Sequence, residues 1–311
     1  MKRISTICAI SAILLLAISV PSFSQYFRLG KVSEVTEVKK RPVVIMLEEE
    51  DPKVASKLSK KPAELNAYRE EIKRVNADFP AIVNKLWIFN AQPAIKTRSE
   101  VEKLKDEKNK EFAVIALDRR KVTTYLKNGM SRYEYDSKVI AIVSIDLIEN
   151  LEEGSPVYSI NLPNVFPTQG DMALGIQMMQ NFLQARLDGK KRGEISDEAK
   201  ENKTLLSSKT LLIDKADLKG GLSQAQIKGA YPYPFKLVDY ATIEKAILDR
   251  DKSYAVVQII PMSVGVPANA HIVMSTEDGK SLAYYEPIQT TVMGKNSEAR
   301  IGERHLKNYA K

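Results

Sequence analysis

The sequence predicts an α/β fold of two related layered units with mixed sheets, on three observations. Short runs such as residues 42–47 (PVVIML), 112–117 (FAVIAL) and 254–260 (YAVVQII) are apolar at nearly every position, as expected of strands buried on both faces. Helical patterns with polar outer faces separate those runs. The same order of elements then returns in the second half of the chain.

Taken in order, residues 25–40 read as a polar lead-in, and residues 42–47 as the first buried strand. Pro62 suits the first turn of a helix. From there Leu65, Tyr68, Ile72, Val75, Phe79, Ile82 and Leu86 recur at alternating spacings of three and four, the seam of a long amphipathic helix. Three heptads are marginal for a coiled coil, so the seam is expected to pack on the domain's own sheet, with Pro80 kinking or splitting it. Ser99 and Glu102 read as a capping box opening a short helix. Residues 112–117, 121–126 and 138–145 follow as strands, with Asn128-Gly129 as a turn. Asp171 is the expected cap of a helix whose inner face carries Ile176, Met179, Leu183 and Leu187. Residues 187–202 turn charged and poor in apolar side chains, which reads as an exposed connection.

The second unit repeats this plan with a strand at 211–213, a helix at 243–248, a buried strand at 254–260 and a closing helix at 298–309. At a constant offset of 142, Val101-Glu102-Lys103 falls on Ile243-Glu244-Lys245, and Phe112-Ala113-Val114-Ile115 on Tyr254-Ala255-Val256-Val257. Continuing without a gap, Asp136-Ser137-Lys138 falls on Asp278-Gly279-Lys280 and Ala141 on Ala283. Val43 and Leu211 stand 168 apart, which puts the extra length of the first unit in its long helix. The expected organisation is a leader at 1–24, a first α/β unit at 25–190, a charged linker at 191–207 and a smaller α/β unit at 208–311.

The leader bears on compartment. Lys2 and Arg3 precede an apolar stretch over residues 7–20, and Pro21-Ser22-Phe23-Ser24 places small residues for cleavage before Gln25. This is the pattern of a bacterial-type secretory signal, and the stretch is short for a membrane span. An exported protein of the periplasm or cell surface is therefore expected, with no integral span after cleavage. Apolar residues make up 44% and charged residues 28% of the chain, a globular composition rather than a disordered one. Without Lys2 and Arg3, 45 basic residues remain against 39 acidic, a net charge of +6. The charges are interspersed, with no dense basic stripe, so nucleic acid is not an expected partner. Cys8, the sole cysteine, lies in the leader, which removes disulfides, thiol nucleophiles and thiolate metal sites from the mature chain.

Catalytic signatures are sparse. The mature chain holds no G-x-S-x-G elbow, no phosphate-binding P-loop, no G-x-G-x-x-G and no Ser-x-x-Lys pair. His271 and His305 are not at metal-ligand spacing; His305 reads as an exposed helix residue and His271 as a structural residue or a lone general base. The acidic run Glu48-Glu49-Glu50-Asp51 follows the first strand, where α/β crevices lie. It reads as a solvated loop capping the next helix in preference to a cation site. Tyr231-Pro232-Tyr233-Pro234-Phe235 is stiff and aromatic, suited to core packing or to stacking on a sugar or peptide. Tyr231, Tyr233, Phe235 and His271 are thus the candidate ligand-binding residues, with no catalytic set, metal or cofactor expected. The function this points to is binding or assembly in the envelope, with another protein, a peptide or a glycan as partner. A hydrolase using two carboxylates that meet only in space, and a structural component self-associating through the 65–86 seam, are the alternatives.

Overall fold

The computed structural model describes residues 27–128, 132–151, 156–261, 269–285 and 299–311. The expected leader, Gly129 of the expected turn and Glu298 of the expected closing helix lie outside the described residues. The described chain opens with edge strand β1 (Phe27–Leu29) and helix α1 (Val32–Lys40), where a polar lead-in was expected. Val35 and Val38 of α1 are buried, and that one apolar face docks an otherwise polar segment.

The first sheet continues with β2 (Val43–Leu47), then helices α2 (Pro52–Leu58) and α3 (Pro62–Leu86), β3 (Ala94–Thr97) and α4 (Arg98–Asp106). The hairpin β4 (Ala113–Asn128) and β5 (Arg132–Leu147) follows, then β6 (Tyr158–Asn161). Its strand order is β1-β6-β5-β4-β2-β3; β2 runs parallel to both β3 and β4, and the other pairs are antiparallel. Helices α5 (Gln169–Leu187) and α6 (Arg192–Asn202) lead to β7 (Thr210–Asp214), α7 (Gln224–Ala230), β8 (Phe235–Val238) and α8 (Tyr240–Leu248). Strands β9 (Tyr254–Pro261), β10 (Asn269–Ser275) and β11 (Ser281–Tyr285) and helix α9 (Glu303–Ala310) complete the chain.

The second sheet has the order β11-β10-β9-β7-β8, with β7 parallel to β8 and β9 and the rest antiparallel. Strand for strand this is the first sheet without β1. The register agrees as well, since Val43 pairs with Ala113 in one sheet and Leu211 with Ala255 in the other. Likewise Val44 pairs with Ala94, and Leu212 with Lys236. The offsets of 168 and 142 therefore hold through three strands. Beyond them the gapless alignment fails. Ile145 pairs with Ile115 while Val273 pairs with Val257, so the offset has dropped to 128 at the fourth strand. Lys138 lies in β5 and Lys280 in the turn between β10 and β11, and Ala141 and Ala283 sit in non-equivalent strands. The cause is the length of the first hairpin, where residues 113–117 and 121–126 belong to one continuous strand.

Both sheets pack on one shared helical layer. Helix α5 is buried on almost every side, which is why its apolar residues show little preference for one face. Its Met172, Ile176, Met179 and Leu183 belong to a single cluster with Ile45, Ile115 and Val143 of the first sheet and Leu212, Val256 and Ile272 of the second. Each such fully buried side chain contributes roughly 1.5–3 kcal/mol. The seam of α3 enters the same layer, with Ile72, Val75, Phe79, Ile82 and Leu86 buried and Leu65 and Tyr68 half-buried. The helix runs unbroken through Pro80, itself buried, so packing offsets the lost hydrogen bond. The outer face of the first sheet is covered by α4 through Val101, against Val44, Met46, Val114 and Ala116. The outer face of the second is covered by α7 and α9, through Ile227, Leu306 and Tyr309.

Local caps differ from expectation by small shifts. Helix α4 is capped by Thr97 with Glu100 as its box partner, and Ser99 sits inside the first turn. For α5 the cap is Thr168 and Asp171 is the box partner. The stretch expected as an exposed connection forms α6, which packs against β11 with Ile195 buried. Among the described residues no helix is long and apolar enough to cross a membrane.

Candidate functional site

In each sheet the three parallel strands end on the same side, the position where open α/β sheets form ligand crevices. In the first sheet the acidic run occupies that position, and every one of its members is engaged. Asp51 caps α2, accepting from the backbone N–H of Lys53 at 2.7 Å. Glu50 pairs with Arg69 at 2.7 Å, which holds its carboxyl below the ordinary value, and Glu49 accepts from the Ser99 hydroxyl at 2.6 Å. Glu48 pairs with Arg119, and its backbone is clamped by the Asn76 amide through bonds of 2.9 and 2.8 Å. From Arg119 the network continues to Glu71 at 3.4 Å, from Glu71 to Arg74 at 2.6 Å, and from Arg74 to Asp78 at 3.1 Å. The crevice is thus lined by ion pairs, with Glu48 Oε2 buried and without a hydrogen-bond partner among the described residues. No cluster of three or more metal-ligating side chains occurs among the described residues.

Residues 161–170 tie this crevice to the second half of the chain. On one side Arg74 donates to the Pro167 carbonyl at 2.9 Å, and Gln169 donates to Asp78 at 2.8 Å. On the other, Asn161 donates to the Pro261 carbonyl at 2.7 Å, and Gly170 N–H to Glu244 at 3.1 Å. At the centre lies Asp171, 1% exposed, whose burial pushes its carboxyl above the ordinary value. One of its oxygens accepts from Asn164 at 2.8 Å and Thr168 N–H at 3.1 Å, the other from the Tyr240 hydroxyl at 3.0 Å. Tyr240 spends its proton there, so its oxygen accepts from the Thr168 hydroxyl at 2.7 Å. Nearby, burial and the neighbouring Asp214 raise Asp217 to about 6. A hydrolytic pair needs a carboxylate with an oxygen to spare for substrate, and both oxygens of Asp171 are bound to the fold.

The four sequence-derived candidates do not converge. Tyr231 is fully buried at the end of α7, its ring edge-on to Tyr233 at 5.4 Å between centroids. Phe235 begins β8, and all three pack into the outer core of the second sheet. His271 sits in β10, separated from β8 by both β9 and β7. It is fully buried, with Nδ1 2.5 Å from the Tyr309 hydroxyl. His305, expected on the surface, is only 5% exposed, because α9 turns it inward to a centroid distance of 4.3 Å from His271. Its Nδ1 accepts from Gly302 N–H at 2.9 Å, which helps to start the helix. Linear spacing conceals this meeting of the chain's two histidines. The signal available was the placement of His305, Leu306 and Tyr309 on one face of the closing helix.

The hairpin β4–β5 offers a different kind of site. Strand β2 accompanies β4 only as far as Ala116, and β6 accompanies β5 only as far as Ile142, with a last bond from Leu162 N–H to the Ala141 carbonyl. From Arg120↔Ile140 to Asn128↔Arg132 the hairpin runs on for nine rungs with no strand on either edge among the described residues. At about 3.4 Å per residue it reaches roughly 30 Å beyond the sheet. In the equivalent hairpin of the second sheet the described pairing ends at Asn269↔Pro261. Beside the root stand two exposed apolar groups, Phe166 at 59% and Val139 at 41%, with the Arg119 guanidinium 5.6 Å from the Phe166 ring. Elsewhere, a cavity lined by Phe182, Asn202 and Tyr284 holds about 50 Å³, whereas small-molecule sites span roughly 300 Å³ or more.

The architecture is thus a two-sheet α/β protein with a projecting antiparallel ribbon. Comparison with protein-family models, with curated proteins and with solved structures finds no match to the chain.

Proposed function

We propose that this chain is an exported protein of the bacterial cell envelope that acts by binding a macromolecular partner, with the β4–β5 ribbon as the gripping element. The nine-rung extension carries the reading. Unpaired strand edges are a hazard for aggregation, and folds blunt or cover them unless they are used. The crevice where α/β enzymes bind substrate is lined by ion pairs, and Asp171 is committed to holding α5 and α8 together. Residues 1–24 supply the address, and the related strand orders of the two sheets fit an origin by duplication, after which one hairpin lengthened. The self-association alternative loses most of its surface, because the α3 seam is spent on the shared core.

The test deletes residues 121–138 and joins the remaining strand ends by an Asn-Gly turn, with thermal unfolding as the control for folding. Recovery of a partner from envelope fractions by the intact protein and not by the shortened one is the expected result. Equal recovery, or turnover of a substrate by the shortened protein, overturns the proposal. N-terminal sequencing of the native protein is expected to begin at Gln25, and an intact Met1 in the cell interior contradicts export.

A further inference from the structure

Resting on that binding role, we infer that the edge of β4 with no partner strand among the described residues takes an acidic, extended peptide segment as an added strand. The two edges of the ribbon are chemically unlike. Residues 120–128 of β4 contain Arg120, Lys121 and Lys127 and no acid, whereas residues 132–138 of β5 balance Arg132 and Lys138 against Glu134 and Asp136. The β4 stretch also contains Val122, Thr123, Thr124 and Tyr125, residue types that favour an extended backbone.

Lysine on an open edge is a recognised guard against pairing with a copy of itself, since two such edges bring cation against cation. The same charges attract a strand of opposite sign. Backbone hydrogen bonds along the edge then supply affinity and the charges supply selection. The edge is also a continuation of one already used: β2 pairs with β4 up to Met46↔Ala116, then leaves at Glu48, held there by Asn76 and Arg119. An incoming strand occupies the line that β2 vacates.

The test uses the full chain and a fluorescein-labelled synthetic decapeptide that alternates Glu with Val and Thr, read by fluorescence anisotropy. Binding is expected, with amide-exchange protection gained in residues 120–128 and not in 132–138. A version N-methylated at alternate residues keeps the charge but cannot pair along an edge, and is expected to bind at least tenfold more weakly. K121E/K127E is expected to weaken binding by a similar factor, and Lys138→Glu to leave it within twofold. Equal binding of the methylated peptide overturns the inference in favour of a plain polyanion site, as does equal binding of polyglutamate locked in coil form. Concentration-dependent self-association through the ribbon in sedimentation also overturns it, by assigning the edge to a second copy. If deletion of residues 121–138 abolishes partner capture while the peptide fails to bind, this inference falls and the binding role stands. If deletion leaves capture intact, the binding role itself falls.

Discussion

Asp146 gives the sharpest test of the energetics. It lies on β5 opposite Val114, only 5% exposed, on the sheet face that also carries Val44, Met46 and Ala116. Burial raises its carboxyl from 3.8 to about 7, Glu34 and Glu149 adding to the effect, while the Leu147 N–H bond at 2.8 Å opposes it. Below pH 3.8 the group is protonated in both folded and unfolded chains and makes no difference. Between there and about 7 the fold holds a proton that the unfolded chain has released, so stability falls as pH rises, and the loss is complete above 7. The span from 3.8 to about 7 corresponds to roughly 4 kcal/mol as an upper figure. Asp146→Asn keeps an oxygen for Leu147 N–H and has no proton to lose. Urea unfolding at pH 4, 6 and 8 is the assay. The variant should match the parent at pH 4 and exceed it by about 2–4 kcal/mol at pH 8, the range allowing for partial hydration. A constant difference between the two across that range refutes the assignment of a buried, proton-holding carboxyl.

Other outcomes follow from the same contacts. Tyr240→Phe removes the bonds to Asp171 and Thr168 that link α8 to α5, and should cost about 1–3 kcal/mol in denaturant unfolding. Gly279 sits at φ +66, and an added Cβ would lie 2.5 Å from the Gln177 Cβ. Gly279→Ala should therefore lower the melting temperature far more than Gly189→Ala, whose φ of +84 carries strain but whose Cβ meets open space. Met179→Ala opens a cavity between both sheets and should cost about 2–5 kcal/mol. It should also leave a single unfolding transition in calorimetry, because one cluster joins both halves; two separated transitions would contradict the shared core.

What the sequence disclosed divides along physical lines. Strands buried on both faces announce themselves by unbroken apolar runs, so β2, β4 and β9 stood out, and the seam of α3 was legible residue by residue. Helix α1 and helix α6 hid because the buried side chains among their described residues are few, Val35 and Val38 in one and Ile195 in the other, too few to mark a period. The caps at Thr97 and Thr168 lay one or more residues from those assigned, since Ser, Thr and Asp compete for the same role and only backbone geometry decides. The repeat was readable where both sheets keep one register, and unreadable past the hairpin whose length differs. Long-range polar contacts, such as Arg119 with Glu48 and His305 with His271, join residues far apart in the chain and leave no trace in local spacing.

The central claim is that the ribbon holds the partner, and site-specific photo-cross-linking in the envelope tests it directly. A photoreactive amino acid in place of Thr123, on β4 of the ribbon, should give one discrete adduct. The same group in place of Lys57, exposed on α2, should give none. Adducts of equal yield from both positions, or from Lys57 alone, would contradict the account.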